Sequence, residues 1–154
     1  INEMAAGAFA IAYFTEKDIK TITDNSPESQ LSYLQEFQRI NKKNFGQFEK
    51  NLITMLDEWI FKQKRNNLEK YASAIPDEIN DLLAMNAPTL WESFHLQNLN
   101  LWQKKLVAVN ALLSLEKDPI KSILAIQQTA RVLEENMNLD KVLEEKYLNL
   151  TKKS

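Results

Sequence analysis

The chain carries one histidine, His95, and no cysteine, so the chemistry open to it is narrow. Glu92 and His95 form a Glu-x-x-His pair, the spacing with which di-iron carboxylate bundles ligate metal. Such a centre takes two of these motifs and two further glutamates, and there is no second histidine. One imidazole without a thiolate is a poor donor set for zinc or copper. No metal and no cofactor is therefore expected. As a general base or a member of a Ser-His-acid triad, His95 would need a serine within reach. Ser93 stands two residues away, which places it on a different helix face. With Gly7 and Gly46 as the only glycines, neither a phosphate-cradling loop nor a dinucleotide fingerprint can be built. The sequence therefore reads as non-enzymatic, with His95 a half-buried residue of an apolar helix stripe.

The sharper constellation is aromatic. Phe37, Phe48 and Trp59 recur at intervals of 11 residues, and so do Trp91 and Trp102. Eleven residues make about three helical turns, so these rings line nearly one face. Such a stripe packs a core or lines an apolar groove or interface between helices. Phe37, Phe48, Trp59, Trp91, Phe94 and Trp102 are the candidate contact residues.

Helices must position these rings. Glycine and proline, the helix breakers, number two and four among 154 residues. Each proline sits where a helix should start. Ser26-Pro27 and Asp118-Pro119 pair an N-cap oxygen with proline at the first helical position. Pro76 precedes two acids, and Asn86-Ala87-Pro88 is followed by Thr89-x-x-Glu92, which fits a capping box. The expected helices run from about Glu3 to Asp24, Pro27 toward Ser73, Pro76 to Met85, Thr89 to Glu116 and Pro119 to about Glu135. A last segment, Asp140 to Leu150, continues that helix or restarts after Asn136-Met137-Asn138. No strand is expected, because neither strict alternation nor a hairpin turn occurs.

Apolar residues recur with a/d rhythm in each helix. The seams are Met4, Ala8, Ile11, Thr15, Ile19, Ile22; then Phe45, Phe48, Leu52, Met55, Trp59; then His95, Leu99, Trp102, Leu106, Val109, Leu113. The last is Ile120, Ile123, Gln127, Ala130, Leu133, Met137. An unbroken helix over 27–73 would be about 70 Å long, against roughly 40 Å for a compact domain of this size. It must bend or break, and the lapse of rhythm favours a break near Arg65-Asn66-Asn67 over one at Gly46. The expected fold is all-α: a single domain over 1–154, an elongated antiparallel helical bundle of four main helices with one or two short extra helices.

Charge narrows the partners. The net charge of −2 from 19 basic and 21 acidic residues gives no field to recruit nucleic acid. The Lys62-Gln63-Lys64-Arg65 run is expected to be a solvated helix end. The helix over 89–116 is apolar over more than one seam, which suits a central helix or an oligomer interface. The expected function is an interaction module that binds a protein partner or itself through the aromatic face, with an apolar small ligand as a further candidate.

Two alternatives share this architecture. Residues 111–128 (ALLSLEKDPIKSILAIQQ) resemble the helix-turn-helix joint of phasins, the polyester-granule coat proteins, over less than an eighth of the chain. The resemblance implies a coat for an apolar surface. The chain opens on Ile1 with an Ala-rich apolar run too short to span a membrane. That opening suits an extracytoplasmic ligand-sensing bundle of a membrane receptor, joined to the membrane only through a segment upstream of Ile1.

Overall fold

The computed structural model describes residues 11–114 and 119–152. The elements are β1 (Lys20–Ile22), α1 (Pro27–Phe45), α2 (Leu52–Lys62), α3 (Asn66–Ala84), β2 (Asn86–Pro88), α4 (Glu92–Leu113) and α5 (Pro119–Lys152). The architecture is all-α, a helical bundle. α4 packs on α3 and on α5, and α3 also packs on α1. Lys104 bonds Glu135 and Lys146 bonds the Leu90 carbonyl, so α4 and α5 run antiparallel. The Asp118 cap expected before Pro119 lies outside the described residues.

The helix expected over 3–24 is not one where it can be seen; its first eight residues lie outside the described residues. From Ile11 the chain is irregular, turns once as a 3-10 helix over Glu16–Asp18, and enters β1. β-branched Thr21, Ile22 and Thr23 favour extended backbone. β1 pairs in parallel with β2, Thr21 opposite Ala87, which corrects the expectation of no strand. Just before it, the Asn100 side chain holds both backbone groups of Phe14, at 2.8 and 3.2 Å. These long-range partners outweigh a local helical rhythm.

Over 27–84 the chain breaks twice. Ser26 caps α1 as expected, its Oγ accepting from Ser29 N with Pro27 in the first turn. α1 ends at Gly46, where an added Cβ would collide with the Lys42 carbonyl. This break was not expected, because Phe45 and Phe48 sit in an unbroken rhythm. They achieve it across a turn, both rings packing on Tyr71. Asn51 then caps α2 through Thr54 N. The second break falls at residues 63–65, next to the place expected, with Gln63 in the left-handed region at φ 57.

Pro76 does not start a helix; it lies inside α3 on the exposed face. The buried run Leu68, Tyr71, Ala72, Ile75, Ile79 and Leu82 continues across it, and that burial outweighs the lost backbone bond. Replacing an interior helical proline restores the bond but loosens the unfolded chain. Pro76→Ala is expected to raise unfolding stability by about 2 kcal/mol, read as an upward shift in urea midpoint at constant slope.

At the start of α4 the expected capping box is absent. Thr89 Oγ1 instead accepts from Asn25 Nδ2 at 2.7 Å, and Leu90 N donates to Asn25 Oδ1 at 3.0 Å. Thr89–Trp91 forms a 3-10 turn before the α-helix begins. α5 runs without a restart through Asn136-Met137-Asn138.

Candidate functional site

The six aromatic candidates are gathered by the chain's own helices. Phe37, Trp59, Trp91, Phe94 and Trp102 are buried and Phe48 is half-buried. They do not form one row. Tyr33, Phe37, Trp91 and Phe94 make one cluster between α1 and α4, with ring centroids 5.3–6.1 Å apart. Phe45, Phe48, Tyr71 and Trp102 make a second, in which Phe45 stacks on Trp102 at 4.7 Å. Trp59 stands apart, its Nε1 donating to the Leu112 carbonyl at 2.6 Å. The break at Gly46 divides the 11-residue repeat: Phe37 is in α1, Phe48 in the loop that follows and Trp59 in α2. Two of the rings still reach a cleft wall. Phe37 lines a groove of about 420 Å³ between α1 and α5, with Leu31, Leu34, Leu143 and Tyr147. Phe48 lines a larger, polar cleft of about 1020 Å³ beside Lys43, Lys50 and Lys70.

His95 is fully buried rather than half-buried. Its Nε2 lies 2.8 Å from the Leu82 carbonyl and its Nδ1 2.9 Å from the Tyr33 hydroxyl. A carbonyl only accepts, so Nε2 carries a proton; in the neutral ring, the form that burial favours, Nδ1 accepts from the Tyr33 hydroxyl. Both nitrogens are thereby engaged. Burial lowers its pKa, against the Leu82 bond, and burial likewise raises that of Tyr33. Glu92 is not a partner in this bonding. Among the described residues there is no group of three or more His, Cys, Asp or Glu side chains that could hold a metal.

A buried polar cluster escaped the sequence reading. Glu78 of α3 is fully buried, its Oε2 accepting from Asn44 Nδ2 at 2.8 Å. The same amide reaches Asp81 at 3.0 Å, and Lys43 bonds Asp81. Glu78 Oε1 and Asn41 Oδ1 are buried without a hydrogen-bond partner among the described residues. Burial raises the Glu78 pKa, against the Asn44 bond. Across the interior, Lys105 of α4 is buried, lies 4.0 Å over the Trp102 ring and donates to Asn136 Oδ1 at 2.5 Å. Burial pulls its pKa down to about 8, opposed by Asp140 and Glu78. The signal was present: Glu78 falls on the seam Tyr71, Ile75, Glu78, Leu82, and Lys105 on Leu101, Lys105, Ala108, Leu112. A charge in an a/d seam marks such a cluster.

The last helix inverts its expected seam. α5 buries Ser122, Ala125, Thr129, Val132 and Leu139. Thr129 meets its own hydrogen-bonding need on the Ala125 carbonyl, and small side chains let α5 lie close to α4. The expected inward set faces out. Ile120 and Ile123 are 59% exposed and Met137 61%. Gln127 and Ala130 are exposed too, with only Leu133 half-buried. Ile126, 44% exposed, joins this outer face. Among the described residues no helix is long and apolar enough to cross a membrane. Searches of family models, curated proteins and solved structures find nothing that matches this chain.

Proposed function

We propose that the protein is a non-enzymatic helical interaction module whose contact face is the outward stripe of α5. The observation that carries this reading is the inversion of that helix: it turns Ile120, Ile123, Ile126 and Met137 to solvent while burying Ser122, Ala125 and Thr129 beside Val132 and Leu139. Scattered exposed apolar residues are ordinary, but Ile120, Ile123 and Ile126 stand exposed within two turns of one helix, and such grouping supports a contact site. The aromatic face of the earlier helices is spent on the chain's own core. That shifts the contact face from α1, α2 and α4, where the ring spacing placed it, to α5. The engagement of both His95 nitrogens supports a non-catalytic reading of the one histidine.

Because the chain lacks cysteine, a single introduced thiol reports on this face without background. Ile123→Cys is expected to react quickly with a water-soluble maleimide in purified protein at submicromolar concentration. In cells that make the protein at its natural level it should react at least tenfold more slowly. Equal rates in the two settings would leave the stripe without an occupant and reject the reading.

A further inference from the structure

We propose that the groove between α1 and α5 binds a small organic cation, a primary ammonium carried on an apolar arm or ring. The groove is independent of the outer face of α5, since Ile120, Ile123 and Ile126 do not line it. It follows from how the helices pair. α5 packs on α4 and α1 on α3, and α1 and α5 then face each other across about 420 Å³. That volume lies within the range of small-ligand sites, which are mostly apolar with a few polar groups that set orientation. Leu34 and Phe37 are buried in the α1 wall and Leu143 is half-buried in the α5 wall, while Leu31 and Tyr147 stay 38% and 48% exposed. The groove thus keeps open an apolar surface that the described residues do not cover.

Charge selects what fills it. The polar lining is Asp140, Glu144, Gln35 and Gln38, with no basic residue among them. Asp140 and Glu144 stand four residues apart on α5, one above the other on the same face. Two carboxylates without a base draw a cation into the groove and repel an anion. The rings of Phe37 and Tyr147 act in the same direction, because an aromatic face attracts a cation. Gln35 and Gln38 on the opposite wall offer amide carbonyls to the remaining ammonium hydrogens. The lining covers residues 31–38 and 140–147, a rise of about 11 Å along each helix. A ring, a short arm and one ammonium span that length. The larger cleft beside Phe48 makes the contrast. Three lysines and three acids line it, so it selects neither sign.

The test titrates phenylbutylammonium into the full chain at pH 7 and follows methyl and amide chemical shifts. Binding should saturate with a dissociation constant on the order of 0.1–1 mM, and the shifts should centre on Leu31, Leu34 and Leu143. Phenylbutanol, which keeps the ring and arm but not the charge, should bind at least tenfold more weakly, and phenylbutyrate should not bind. Glu144 is exposed, so Glu144→Gln should fold normally and weaken the ammonium at least threefold. Tyr147→Leu should weaken it as well, and Tyr147→Phe should not. Equal affinity for the ammonium and the alcohol, unchanged affinity in Glu144→Gln, or shifts centred elsewhere would each overturn the site. Binding of a Leu- and Lys-rich helical peptide at least tenfold tighter than the ammonium would give the groove to a protein helix and overturn the small-ligand assignment. Groove shifts that grow with protein concentration alone would give it to a second copy, with the same consequence.

Discussion

His95→Ala is expected to lower unfolding stability by about 4 kcal/mol, close to half of what a domain of this size has, and to lower the melting midpoint by about 10 °C. Two losses combine. The ring is fully enclosed where α1, α3 and α4 meet, so truncation leaves a cavity. It also strands the Leu82 carbonyl and the Tyr33 hydroxyl, each a buried group with no second partner supplied by the change. Tyr33→Phe, which strands only Nδ1, should cost less, about 1–2 kcal/mol. The pH dependence separates this account from simple loss of packing. The folded imidazole has its pKa below the ordinary 6.5, so unfolding favours proton uptake. The contribution to stability is full above 6.5 and falls as the pH drops from there through the folded value. Urea unfolding at pH 7.5 and 5.5 should show the wild type losing stability that His95→Ala does not lose. Parallel losses would mean that the ring titrates as freely in the fold as out of it.

That node shows where sequence reasoning stops. Helical class, the cap at Ser26 and the break beside Arg65 were legible because each depends on nearby residues. His95 was legible as a stripe residue, but its full burial depends on Tyr33 and Leu82, which α1 and α3 deliver from 62 and 13 residues away. The strand pair was hidden for the same reason: β-branched Thr21 and Ile22 favour extension, but β1 becomes a strand through β2, which the chain brings beside it from far along the sequence. Pro76 misled because a local breaker was weighed without the burial that carries α3 across it. α5 misled differently. Two a/d frames coexist along that helix, and apolarity favours the one the fold turns outward. The inner frame is chosen for size, since Ser122, Ala125 and Thr129 permit close approach to α4. A rule that assigns the more apolar face to the core fails on α5, because the face packed on α4 is set by the neighbouring helix and not by apolarity alone.

Glu78→Met is expected to raise stability at pH 7 by about 1–2 kcal/mol. The carboxyl is fully enclosed in α3, and one oxygen finds no partner among the described residues, so its charged form is held at a desolvation cost. Methionine matches its length and adapts to an irregular space. The Asn44 amide would not be stranded, because it keeps Asp81 at 3.0 Å. The opposing loss is an attraction to Lys105. Asp140 is the larger influence raising the Lys105 pKa, ahead of Glu78, and Asn136 still accepts from its ammonium, so that loss is partial. The sign of the pH dependence follows from the raised Glu78 pKa. A carboxyl whose folded value lies above the ordinary 4.5 contributes fully below 4.5, and the contribution is lost as the pH rises through the folded value. The gain from Glu78→Met should therefore be largest near neutrality and shrink toward pH 4, where both folded and unfolded carboxyls are protonated. Denaturant midpoints at pH 4 and 7 measure this. A loss of stability at pH 7 would show that attraction between Glu78 and Lys105 exceeds the cost of burying both, and would make the pair a structural ion pair across the bundle.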